Sequence, residues 1–154
     1  MAITTFKATS RLTSGLAVEN EVRGFKITLD EPKELGGTNT GMNPVEALLC
    51  ALGSCQSIVA VAFAKAKHID LQDFWVELEG DLDPDGFLKG KPGVRNGFQE
   101  IRFNMHIVTS SSPEAVAEFQ KFIQSRCPVG DSVMNGVKFV PGAIIIEQPA
   151  MQAA

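Results

Sequence analysis

The residues of this chain best suited to chemistry are its three cysteines, Cys50, Cys55 and Cys127. A thiolate can serve as nucleophile, reductant or soft metal ligand. Cys50 and Cys55 stand ~140° apart around an ideal helix, so they face different ways. Their spacing is not that of a zinc pair and no histidine lies beside them, so no metal is expected. An odd count of thiols fits no disulfide scaffold. In a reducing compartment such thiols are buried filler or reactive groups. Free cysteine is among the most buried residue types, so core filling is the plain alternative for Cys55 and Cys127 and the preferred reading for Cys50.

Other chemistries find less support. Asp81, Asp83, Asp85 and Gly86 imitate the first half of a calcium-binding loop, but its twelfth position would be Pro92 instead of a bidentate glutamate. A turn at Pro84-Asp85-Gly86 accounts for the same residues. His68 and His106 sit in no nucleophile motif, and no Gly-x-Ser-x-Gly elbow or phosphate-cradling glycine loop occurs. No cofactor is expected.

Regular elements must position the thiols. Phe25, Ile27 and Leu29 alternate with Lys26, Thr28 and Asp30, the period of a strand with one wet face. Weaker strand signals precede it around 3–10 and 14–20. A loop follows through Pro32 and Gly36-Gly37. Asn43-Pro44-Val45-Glu46 then starts a helix, with Asn43 as cap, Pro44 at the first position and Glu46 as the capping-box carboxylate. It should run to about Lys67, where Lys65, Lys67 and His68 suit the negative end of the dipole. Its length of ~36 Å is that of a small domain, and so apolar a helix needs cover on every side. A partner subunit is a natural source of that cover.

Two alternating segments, Val76 to Leu82 and Ile101 to Ile107, read as strands joined by a Pro/Gly-rich loop from Asp83 to Gly97. A second helix should begin after Ser112, with Pro113 first, carry Val116, Phe119, Phe122 and Ile123 inward, and stop at Cys127 before Pro128. Val137 to Glu147 reads as a last strand, interrupted at Pro141-Gly142. The order predicts an α+β fold in one domain spanning 1–154, not regular βαβ alternation.

Composition narrows the partners. The 154 residues carry 44% hydrophobic side chains and a net charge of −4. Nothing supplies a basic stripe for nucleic acid or an anionic membrane. From Ala47 to Ala64 the chain is uncharged, the lower limit for a membrane span, but the polar Ser54-Cys55-Gln56-Ser57 centre favours a buried helix. The N-terminus has no signal-peptide pattern, so the expected address is cytoplasmic.

Gly36-Gly37-Thr38-Asn39-Thr40-Gly41-Met42-Asn43-Pro44-Val45-Glu46-Ala47-Leu48-Leu49, running into Ala51-Leu52-Gly53-Ser54-Cys55, resembles the central-helix signature of the OsmC/Ohr family. Cys127-Pro128-Val129-Gly130-Asp131 resembles its second-cysteine motif. The likeness covers the chain from about residue 20. It implies an OsmC-like fold, with antiparallel sheets packed on long central helices in an intertwined homodimer whose active sites lie at the subunit interface.

It further implies a thiol peroxidase acting on organic hydroperoxides. Cys55 would be peroxidatic, Cys127 resolving, and a dithiol the reductant. An arginine and a glutamate hold the first thiolate reactive in the family, and Arg11 is the nearest match to that arginine, with Arg23 as fallback. The peroxidase branch has its glutamate directly after Asn-Pro. Here Val45 holds that place and Glu46 follows, half a turn out of phase with Cys55, so Glu46 is at least as well suited to capping as to catalysis. Two alternatives stand beside the peroxidase: a non-catalytic dimeric module binding an apolar ligand at the interface, and an enzyme of another thiol chemistry.

Overall fold

An antiparallel meander of β1 (Thr9–Ser14), β2 (Ala17–Val22) and β3 (Phe25–Leu29) opens the chain in the computed structural model, which describes residues 3–147. Arg23 and Gly24 connect β2 to β3 with φ of 54° and 85°, the positive pair that a two-residue hairpin loop requires. The expected strand at 25–29 is present; of the weaker signals, that around 14–20 overlaps β2, whereas that around 3–10 meets β1 only at Thr9 and Ser10, residues 3–8 lying outside any regular element. Its apolar face is not covered by its own chain: Phe25 is 71% exposed.

The loop after β3 is tied to one buried carboxylate. Asp30 accepts the backbone N–H groups of Glu31, Thr38 and Thr40 at 2.8–3.1 Å and the hydroxyls of Thr38 and Thr40 at 2.6 and 2.9 Å. These bonds, the Thr38 hydroxyl first, hold Asp30 well below the ordinary carboxylate range. The loop closes so tightly that a Cβ on Gly37 would lie 1.8 Å from the Glu31 carbonyl oxygen. Only glycine fits there.

The knot delivers the chain to α1 (Pro44–Ala64), which continues as a 3-10 turn, Lys65–Lys67, and ends on His68 in the left-handed region. The helix starts at the expected cap and reaches the expected end. One face packs on β4 (Leu71–Asp81), which pairs antiparallel with β5 (Glu100–Thr109) in the register Val76↔Met105 and Leu78↔Phe103. Gly53 lets the helix approach the sheet, since a Cβ there would meet Leu78 Cδ1 at 2.8 Å. α3 (Pro113–Arg126) begins at the Ser112 cap and closes the core, with Phe119 and Ile123 buried against Val59, Ala60 and Ala64. Truncating Phe119 to alanine should cost ~3–5 kcal/mol.

Two expectations need correction. The loop between β4 and β5 contains a short helix, α2 (Pro84–Lys89), where a simple turn was read. Asp83 caps it by accepting from Asp85 N–H at 2.9 Å, and Gly90 ends it with φ 59°. The same residues that imitate a calcium loop therefore start a helix. Among the described residues no cluster of three or more His, Cys, Asp or Glu is placed to hold a metal. The strand expected over Val137–Glu147 does not form: these residues lie outside any regular element, with Ile144 92% exposed. A strand is made by its neighbour's hydrogen bonds, and this segment has no such neighbour among the described residues.

Candidate active site

Cys55 stands in the fourth turn of α1, half-buried, while Cys50 lies exposed on another face of the helix. Cys127 is buried at the junction of α3 and α4 (Pro128–Asn135). Pro128 explains the junction. It forces the preceding residue into extended backbone, so α3 stops and Cys127, at ψ 107°, becomes the N-cap of the next helix.

As a cap, Cys127 does what serine or asparagine does elsewhere. Its Sγ accepts the N–H of Gly130 at 3.2 Å. Leu52 of α1 seats against this turn: a Cβ on Gly130 would be 3.4 Å from Cys127 Sγ and 3.6 Å from Leu52 Cδ1. The packing of α4 on α1 makes the Cys127 thiol a neighbour of Cys55. All three cysteines are free thiols.

Burial pushes the Cys127 thiol up from its ordinary value, and the neighbouring Cys55 adds to the rise. The N–H groups of Gly130 and Val129 oppose it. Cys127 is therefore held as a protonated thiol beside a more accessible partner. Such a pair can exchange between dithiol and disulfide, with Cys55 the sulfur open to attack from outside.

The other expected residues are placed elsewhere in the chain. Glu46 makes both bonds of a capping box: its Oε2 accepts from Asn43 N–H at 2.7 Å, and Asn43 Oδ1 accepts from Glu46 N–H at 2.9 Å. Arg11 is exposed on β1, paired across the sheet with Glu19. Arg23 lies over the Phe25 ring at 5.5 Å. The meander that carries both arginines makes only marginal contact with the helices and second sheet of its own chain.

Two features escaped the sequence reading. Asp30 was taken as the wet end of a strand, although the threonines eight and ten residues on, in a glycine-bounded loop, are the donors that a buried carboxylate needs. Gln56, next to Cys55, is 2% exposed, and its Oε1 has no hydrogen-bond donor among the described residues. A polar residue within a helix face of small apolar ones was the available signal.

Comparison with known proteins gives a consistent result. The family model described as OsmC-like protein matches residues 37–141. The hydroperoxide reductase of Mycoplasma genitalium is 30% identical over 119 residues, which span 75% of this chain and 77% of that protein. An OsmC-like protein from Mycoplasma pneumoniae superposes with a TM-score of 0.76 at 25% identity, covering 88% of this chain and 92% of its own. The organic hydroperoxide resistance protein OsmC of Legionella pneumophila shares the fold, with a TM-score of 0.63 at 22% identity and coverage of 88% and 93%. The match therefore includes the α1 turn bearing Cys55 and the α4 cap bearing Cys127, and this chain belongs to the OsmC-like family.

Proposed function

We propose that the protein is a thiol-dependent peroxidase that reduces organic hydroperoxides through Cys55 and Cys127. The observation that carries this reading is the packing of α4 on α1, which sets a buried thiol capping one helix near a half-buried thiol on the other. The names of its relatives support the same substrate class.

The Cys55 thiolate attacks the terminal oxygen of the hydroperoxide. The O–O bond breaks, the alkoxide leaves and takes a proton to become the alcohol, and Cys55 carries a sulfenic acid. The Cys127 sulfur then attacks the Cys55 sulfur, water departs, and a disulfide forms. A dithiol reductant restores both thiols by exchange and leaves as its own disulfide. No cation of the same chain contributes to the shift at Cys127. The charge that favours the Cys55 thiolate comes, on this reading, from Arg11 on the meander of a second copy, with Arg23 as the alternative.

A homodimer supplies that second copy. The meander leaves Phe25 open, and α1 turns Ile58 and Val61, each 68% exposed, outward. Patches of this kind on a small chain mark an interface. The Pro44–Lys67 run is apolar and long enough to cross a membrane, but its packing on β4, α3 and α4 supports reading it as the core helix of a soluble dimer. The proposed address is the cytoplasm, where dithiol reductants are available.

Steady-state turnover of cumene hydroperoxide with a dithiol reductant tests the proposal. The wild-type chain should turn over, Cys55→Ser should lose all activity, and Cys127→Ser should complete one turnover at most. Unimpaired turnover in Cys55→Ser would overturn it.

A further inference from the structure

The Gln56 side chain is almost wholly buried, yet among the described residues its carboxamide oxygen receives no hydrogen bond. Buried acceptors are nearly always satisfied, because leaving one bare forfeits the bonds it made with water. A leucine of similar size would fill the same space without that loss. Retaining an amide here therefore calls for a donor that the reduced chain lacks.

Its position indicates where the donor arises. Gln56 follows Cys55 and stands one turn beyond Leu52, the residue that seats against Gly130 and the Cys127 cap. On the other side of this stripe Gly53 meets Leu78 of β4. Gln56 thus belongs to the stripe of α1 that faces α4 and β4, ~100° around the helix from Cys55. A glutamine side chain is long enough to reach across the edge of that stripe.

We propose that Gln56 is a positioning residue whose Oε1 accepts a hydrogen bond from the sulfenic acid formed on Cys55. This rests on the peroxidase reading above. The reduced thiols offer only weak S–H donors. Attack by the Cys55 thiolate on an organic hydroperoxide transfers one oxygen, releases the alcohol, and creates an S–O–H group with a strong O–H donor. Accepting that hydrogen fixes the S–O bond in one direction. The Cys55 sulfur is then presented to Cys127 with hydroxide, protonated to water, as leaving group. The same bond hinders attack by a second hydroperoxide, which would carry the sulfur on to sulfinic acid.

The test uses Cys127→Ser, in which the sulfenic acid cannot be resolved, with and without Gln56→Leu. One equivalent of cumene hydroperoxide forms the sulfenic acid, an excess is then added to drive the second oxidation, and both species are followed by dimedone trapping and intact mass. Gln56→Leu should leave the rate of sulfenic acid formation within about threefold and speed its conversion to sulfinic acid by about tenfold, the size of one such interaction. With Cys127 present, the same substitution should slow disulfide closure by a similar factor. Its urea midpoint should stay level or rise, since an unpaired buried polar group has been removed.

Equal sulfenic acid lifetimes in the two proteins overturn the role of Gln56 while leaving the peroxidase reading intact. A lowered urea midpoint with unchanged lifetimes assigns the Gln56 oxygen to a structural donor, such as one from the partner subunit, and also overturns it. Failure of the Gln56-containing parent to form any sulfenic acid removes both readings together.

Discussion

Glu46 and Asn43 exchange hydrogen bonds across the first turn of α1, each side chain accepting the other's backbone N–H at 2.7 and 2.9 Å. The carboxylate is engaged at the helix start, half a turn out of phase with Cys55. Glu46→Gln should therefore lower stability by ~0.5–1 kcal/mol and leave Cys55 oxidation within about threefold of wild type. Urea denaturation and stopped-flow oxidation measure the two effects separately. A tenfold loss of rate would show that Glu46 acts on the thiolate instead.

Arg11 should behave in the opposite way. It is exposed on β1 and contributes little to its own chain's packing, so Arg11→Met should barely change stability. If a partner subunit carries it to Cys55, removing the charge should slow peroxide attack by about tenfold or more. The pH dependence of Cys55 alkylation reads this directly. An unchanged profile in Arg11→Met, with a shifted one in Arg23→Met, would move the role to Arg23.

Assembly has its own prediction. The uncovered apolar faces of the meander and α1 should bury each other in a dimer at micromolar concentration. Sedimentation equilibrium should give twice the chain mass. Replacing Ile58 with aspartate, at a site 68% exposed in the single chain, should dissociate it. A wild-type chain that sediments as a monomer would refute the interface and with it the proposed route for Arg11.

What was legible in the sequence was local. Asn43-Pro44 and Ser112-Pro113 announce helix starts because cap and first-turn chemistry is contained within a few residues. Cys127-Pro128 marked where α3 must stop. The alternation over 76–82 and 101–107 marks two strands, and the structure adds their pairing, with Val76 opposite Met105. The α2 helix was missed although Asp83-Pro84 and Gly90 flank it, because a six-residue helix has too little periodicity to be seen. Val137–Glu147 has strand composition but lacks a strand beside it, and pairing is a tertiary property. Within the site, the cysteines could be named from motifs. The contact between them depends on how α4 packs on α1, which no local pattern encodes.

Asp30 makes the fold sensitive to acid. Its carboxyl is held well below the ordinary value of 3.8 by five donors, the Thr38 hydroxyl foremost. A group depressed in the folded state stabilises fully above its unfolded pKa and loses that contribution as pH falls through the window below it. Stability should therefore fall from about pH 4 downward, and Asp30→Asn should be destabilised at pH 7 with a flatter acid limb. Urea titrations at several pH values decide this. Parallel acid limbs in the two proteins would show that another carboxylate is responsible.

The pairing of Cys55 with Cys127 is most directly tested by peptide mapping after one equivalent of cumene hydroperoxide is added to the fully reduced protein. Burial of Cys127 beside Cys55, and the exposure of Cys50 on another face, predict a single outcome. Two thiols per chain should be consumed, the Cys55 and Cys127 peptides should be joined by a disulfide, and Cys50 should still alkylate. A bridge that includes Cys50, or oxidised protein with no bridge at all, would contradict the account.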